Sequence, residues 1–284
     1  MIMVMAVLSA VLFSCVREEM ACDKELIVVQ RIGEGGYVYT RGAVISSNTD
    51  LKEETFGLYG SLTPNASVPQ AYFNASATVN TDLTATISPL QYWPGLLNAS
   101  MKFFSWYPYS DADAPAASFA DPGEMVLNYA ANASAANHVD VLAAISGPVW
   151  VEGVNIHFYH TLTKVTFTFK KVAPVPDEVT IEKIEFWNVG KSGKLAMVEI
   201  PTATTKNGKP KFVWSDIATG KVTSVPTGNK TVTEDATLIG DTFLMLPTDA
   251  FSATAKIVVT TNFGDREFLF SDIPDSYTHL RAHE

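Results

Sequence analysis

Cys15 is the residue of this chain best placed for chemistry. It follows Leu12-Phe13-Ser14 at the end of a nearly unbroken apolar run over residues 2–14. An aliphatic residue three positions before a cysteine and a small one directly before it form the bacterial lipobox, in which the thiol is acylated and becomes the first residue of the mature chain. The run is too short to cross a bilayer, which takes about 20 residues, and its length suits the apolar region of a secretory signal. Two or more acyl chains give stable anchoring where one gives marginal binding. No Lys or Arg precedes the run, which departs from the usual signal. Cys22, the other cysteine, is then a lone thiol, so no disulfide or cysteine-based metal framework is available.

The remaining chemical candidates are weaker. His157 and His160 are three apart, which sets them on opposite faces of a strand and away from a common metal. His160 shares parity with Ile156 and Phe158 and reads as an inward, hydrogen-bonded histidine. Asp111-Ala-Asp113, with Asp121 nearby, lacks the glycine and distal bidentate Glu of a calcium loop, so no metal is expected. The sequence holds no Gly-x-Ser-x-Gly elbow, phosphate loop, His-Glu-x-x-His or cysteine–histidine pair, and no cofactor or enzymatic role is expected. A net charge of −10 excludes nucleic acid as a partner and makes anionic headgroups repulsive.

The elements that must carry these residues are strands. Met125-Val-Leu127-Asn-Tyr129 and Val165-Thr-Phe167-Thr-Phe169 alternate with period two, and Arg266-Glu-Phe268-Leu-Phe270 does so more loosely. Val179-Thr-Ile181 and Ile184-Glu-Phe186 alternate on opposite parities, which predicts a bulge at Glu182-Lys183. Residues 26–29 and 256–259 are short, apolar and β-branched, as strands covered on both faces are. Gly33-Glu-Gly35-Gly36, Asn207-Gly208, Thr227-Gly228-Asn229 and Asn262-Phe-Gly264 supply turns. Asn-Ala-Ser at Asn65, Asn74, Asn98 and Asn132 reads as polar turn segments without a regular period. No long window has helical periodicity, so an all-β sandwich is expected. Composition shifts near 145–154, and the expected division is 26–150 and 151–274, after a signal over 1–14 and a flexible lipidated leader over 15–25. Residues 275–284 are polar and unpatterned and read as a non-native tail that truncates the second domain.

Five segments carry a family resemblance. They are Thr55-Phe-Gly-Leu-Tyr59, Phe103-Phe104-Ser105-Trp106-Tyr107-Pro108-Tyr109, Val139-Asp140-Val141-Leu142-Ala143-Ala144, Phe158-Tyr159-His160-Thr161-Leu162-Thr163-Lys164-Val165 and Phe243-Leu244-Met245-Leu246-Pro247. In this order, behind a lipobox, the chain resembles the fimbrillin family of type V pilus subunits, including its Mfa-like branch. Tyr107, Pro108 and Tyr109 match its Tyr-Pro-Tyr strand end. His160, Leu162 and Lys164 match its His-x-Leu-Ser/Thr-Lys-Val signature. The acid-containing Val16-Arg17-Glu18-Glu19 is similar to surface-export signals in bacteria that carry these pili.

The resemblance implies a surface lipoprotein of the bacterial outer membrane, with two tandem antiparallel β-sandwich domains of transthyretin-like, Greek-key type. Other pilus subunits would be its partners by β-strand complementation, the membrane lipid would hold its acyl groups, and a host protein or glycan could be a ligand. A surface protease, often Arg-specific, would remove the first strand, and Arg31 and Arg41 are the candidate cleavage points. The alternative is a surface glycan-binding lipoprotein, with Trp93, Trp106, Trp150, Trp187 and Trp214 as stacking platforms; two or more of them exposed on one flat face would favour it.

Overall fold

The computed structural model describes residues 25–34, 45, 47–110, 113–149, 153–172, 177–197, 212–248 and 250–272. In chain order the strands are β1 (Val29–Glu34), β2 (Thr55–Thr63), β3 (Gln70–Val79), β4 (Ala85–Ser88), β5 (Ser100–Tyr107), β6 (Ala116–Ser118), β7 (Met125–Ala130), β8 (Leu142–Val149) and β9 (Val154–His160). They continue as β10 (Thr163–Val165), β11 (Thr168–Phe169), β12 (Val179–Met197), β13 (Phe212–Ser224), β14 (Thr231–Val232), β15 (Thr237–Leu238), β16 (Phe243–Met245), β17 (Lys256–Thr261) and β18 (Gly264–Leu269). Among the described residues the only helical pieces are three short 3₁₀ turns, so the fold is all-β as the alternation requires.

Seven strands close on themselves in the order β1-β4-β3-β2-β5-β8-β9. Every pairing in this ring is antiparallel except the one that closes it, β1 alongside β9. The second large sheet runs β18-β17-β12-β7-β6, with β13 and β14 also paired to β12. β12 is long enough to serve two neighbours in turn along one side, β17 through Ile181–Trp187 and β7 through Ser192–Met197. Two small sheets, β10 with β16 and β11 with β15, complete the fold.

Three apolar cores follow. The first fills the ring, with Phe56, Leu58, Met101, Phe103 and Phe158 among its members. The second lies between the outside of the ring and the second sheet, where Tyr59, Phe104, Trp106 and Ile145 meet Met125, Leu127, Leu195 and Met197. The third, around Ile184, Phe186, Val222, Phe243 and Met245, sits under the small sheets. This layering explains why β2 and β5 are buried on both parities. On β5, Met101 and Phe103 face the first core while Phe104 and Trp106 face the second. Gly57 stands opposite Trp106 in the register, and a Cβ there would fall 2.1 Å from the indole. Only glycine leaves room for that ring, because real Cβ atoms do not approach so closely.

Several sequence expectations are met or moved. The bulge predicted at Glu182-Lys183 is present as a register shift between Ile181 and Lys183. Met125 to Tyr129 alternates buried and accessible along β7. The single strand expected over 165–169 is instead two pieces, β10 and β11, with different partners. Residues 26–29 were expected to be covered on both faces, yet Leu26 and Val28 are exposed while Ile27 and Val29 are buried. One face of this segment lines the first core and the other meets solvent. The sheets do not part at 150/151: β9, beyond that point, belongs to the ring, and β6 and β7, before it, belong to the second sheet.

Candidate functional site: the closing strand and its groove

β1 closes the ring with uneven backbone support. Towards β4 it has one register pair, Val29 with Ala85. Towards β9 it runs parallel, pairing Val29 with Val154 and then, after a bulge, Arg31 to Glu34 with Asn155 to Phe158. Parallel pairing is slightly less stable per residue than antiparallel pairing. Further backbone bonds tie the segment down: Val154 N–H donates to Val28 O at 2.9 Å, Ile32 N–H to Leu83 O at 2.7 Å and Ile27 N–H to Gln91 O at 2.9 Å.

Its apolar contribution is large. Ile27, Val29 and Ile32 are 3%, 0% and 0% exposed and belong to the core that holds Phe56, Leu58, Ile156 and Phe158. Full burial of such a side chain is worth about 1.5–3 kcal/mol. Gly33 meets the His157 ring, where a Cβ would approach Nδ1 to 3.1 Å. Without residues 25–34 the ring would present unpaired N–H and C=O groups on β4 and β9 above three empty apolar pockets. An extended segment with apolar residues at matching spacing satisfies both needs.

Arg31 lies inside this strand with its side chain exposed, paired to Asn155 rather than standing between a strand and a loop. Arg41 and Cys15 fall outside the described residues. Tyr107 ends β5 and donates its hydroxyl to Glu54 Oε2 at 3.1 Å. Pro108 follows through a cis peptide and is buried. Tyr109 is partly exposed and packs against Trp106 with centroids 6.0 Å apart. The 103–109 aromatics therefore serve the cores, with Phe103, Phe104 and Trp106 all buried.

The His160 signature forms a junction. His160 points inward, as its parity requires, and His157 points out. His160 Nδ1 lies 2.8 Å from Asp140 Oδ2, both side chains deeply buried. Thr161 donates both its N–H and its hydroxyl to Val141 O, at 3.0 and 2.7 Å. Trp214 Nε1 donates to Thr161 O at 2.9 Å, linking β13 of the second sheet to the end of β9. Leu162 is buried in the second core. Lys164 on β10 has its pKa lowered by burial, an effect opposed by the nearby Asp140 charge. Asp140 lies within one of the five segments, but nothing in sequence spacing marks it as the partner of a histidine twenty positions on.

His138 forms a second link. Its Nδ1 accepts the Leu244 N–H at 2.9 Å, and its Nε2 lies 3.0 Å from Asn132 O. This geometry assigns the neutral tautomer with the proton on Nε2, since Nδ1 must accept. Burial lowers the His138 pKa, outweighing the Asn132 carbonyl and the charges of Asp113 and Asp241, which raise it; Lys191 adds to the lowering. A depressed histidine pKa means the unfolded chain binds the proton more readily. The His138 contribution to stability is therefore expected to be full above the ordinary value of about 6.5 and to fall as pH drops below it. Urea denaturation at pH 7.5 and 5.5 checks this, with His138→Asn expected to reduce the difference.

Fold and site together define an all-β protein whose first sheet is closed by a strand paired along β9 and only thinly with β4. A family model described as fimbrillin-like matches residues 40–282, and the chain belongs to that family. The match begins after β1 ends and runs into the 275–284 tail. Among solved structures, a candidate cell-adhesion protein from Bacteroides uniformis is similar at 15% identity and a TM-score of 0.52, over 90% of this chain and 88% of that one. A candidate cell-adhesion protein from Bacteroides ovatus is similar at 13% identity and a TM-score of 0.49, over 87% and 86%. The fimbrial anchor protein Mfa2 from Porphyromonas gingivalis is similar at 12% identity and a TM-score of 0.39, over 83% and 77%. No curated protein matches the chain.

Proposed function

We propose that this chain is a structural or adhesive subunit of a fimbrillin-type pilus, without enzymatic activity, that assembles by strand exchange at the β1 groove. In this reading it is exported to the outer membrane as a lipoprotein acylated at Cys15, with the two tandem sandwich-type domains of its family. Proteolysis detaches β1, and an extended segment of a neighbouring subunit takes its place. The linkage is head-to-tail and therefore open-ended, which builds a filament.

One observation carries the reading: residues 25–34 seat three fully or almost fully buried aliphatics, yet β1 joins β4 through one register pair. A strand with large side-chain burial and a short ladder is one that a competing segment can replace without rebuilding the sheet. Of the two candidate cuts, cleavage after Arg41 releases all of β1. Cleavage after Arg31 bisects the strand, keeps Ile32 on the body and requires a backbone held against β9. We therefore favour Arg41. The glycan-platform alternative draws no support from the four described tryptophans, since Trp93 and Trp106 are buried and Trp187 and Trp214 half-buried.

The test is expression of the chain with its signal, followed by limited trypsin treatment of intact cells. Metabolic palmitate labelling lost in Cys15→Ala, a discrete N-terminal cut, and SDS-resistant ladders on unboiled gels are the expected results. A surface-exposed chain that is cut and stays monomeric contradicts strand exchange. Labelling retained in Cys15→Ala contradicts the anchor.

A further inference from the structure

A second concave surface lies away from β1, on the outward face of the second sheet. It is a groove of about 550 Å³ lined by Asp113, Asn128, Ser192, Lys194 and Asp216 over small residues at Ala116 and Ala130. That volume lies within the range of small-ligand sites, roughly 300–1,000 Å³. The sheet makes the concavity from its own sequence. Ala116 on β6 and Ala130 on β7 leave space that larger side chains would fill, and Asn128 on β7 stands opposite Ala116 in the register.

The wall on the β13 side is built by strain. Asp216 has φ +50°, a left-handed backbone that side-chain-bearing residues seldom adopt, and the β12–β13 ladder shifts register at Gly190/Ser192 and again at Ser192/Lys194. Bulges of this kind re-aim side chains and concentrate beside functional sites. Here the result is Asp216 set beside Lys194 at 2.8 Å. On the opposite wall Asp113 is held by Asn132, whose amide nitrogen donates to both carboxylate oxygens at 3.1 and 3.2 Å. Asn132 is itself fixed: its Oδ1 accepts the Ser134 N–H at 2.9 Å, and its carbonyl accepts from His138. Asp113 is thus a preorganised acceptor with lone pairs remaining, since an ionised carboxylate offers about four acceptor sites.

We propose that this groove binds a neutral saccharide of one or two rings. The lining offers both acceptors and donors, which an array of ring hydroxyls can use: carboxylates at Asp113 and Asp216, an amide at Asn128, a hydroxyl at Ser192 and an ammonium at Lys194. Lys194 pairs with Asp216, and the Asp113 carboxylate remains uncancelled, which works against an anionic ligand. Among the described residues no three His, Cys, Asp or Glu side chains converge to hold a metal ion. This inference stands on the second sheet alone and does not depend on strand exchange at β1.

The experiment is a panel of immobilised neutral mono-, di- and oligosaccharides probed with the full chain, followed by calorimetric titration of each hit. The expected result is binding of at least one neutral sugar, weakened about tenfold or more in both Asp113→Asn and Asn128→Ala, as loss of a hydrogen bond involving a charged or buried polar group predicts. Thermal melting of each variant is measured alongside, and Asp216→Gly, which removes the carboxylate while suiting the positive φ, serves as a third variant. Absence of binding across the panel at millimolar sugar, affinity unchanged in well-folded variants, or a preference confined to charged sugars each overturns the proposal.

Discussion

Asp140→Ala is expected to lower the stability of the chain by about 1–3 kcal/mol, the cost of removing the buried polar group that faces His160. His160 and Asp140 are both deeply buried and 2.8 Å apart. They join the end of β9 to the segment entering β8, where the two strands share only the pairs Leu142–His160 and Ala143–Tyr159. The loss would fall where the ladder is short. Asp140→Asn keeps an oxygen that can accept from Nδ1 and is expected to cost less. Denaturant midpoints of the three chains make the comparison; an unchanged midpoint for Asp140→Ala would show that the pair holds nothing together.

Ile32→Ala is expected to cost about 2–5 kcal/mol and, if β1 is the exchanging strand, to speed its replacement by a competing segment. The burial pattern of the segment supplies the control. Ile27, Val29 and Ile32 face the core, whereas Leu26 and Val28 are 38% and 45% exposed. Leu26→Ala and Val28→Ala should therefore change stability by less than about 0.5 kcal/mol, as ordinary surface substitutions do. Equal effects from inner and outer positions would mean that the burial pattern does not govern the closing strand.

Much of the fold could be read in the residues because it depends on period two. The alternation of 125–129, the inward parity of His160 and the bulge at Glu182-Lys183 are local patterns with local consequences. Aromatic density at 103–109 pointed to packing, and the strand packs on both faces. What escaped sequence reasoning depends on distant partners. Phe167 falls in a break between β10 and β11, although Val165, Phe167 and Phe169 alternate perfectly, because each short piece pairs with a different strand 68 to 82 residues away. The return of β7 to the second sheet is set by its pairing with β12, which no composition shift near 150 announces. Asp140 had no signal of its own, and Asp216 gained its place in the groove wall from a positive φ and two register shifts.

The central claim is that β1 is a removable strand whose place an extended segment can fill. The direct measurement uses the full chain, cut with an Arg-specific protease that is then inactivated. A biotinylated peptide with the sequence of residues 25–34 is added to cut and uncut protein. The account predicts one-to-one incorporation into the cut chain, stable in SDS without boiling, and none into the uncut chain. A peptide carrying Asp in place of Val29 and Ile32 should fail, because it would bring charge into apolar pockets. A cut chain that refuses the native peptide, or one that accepts the charged peptide equally well, would contradict it.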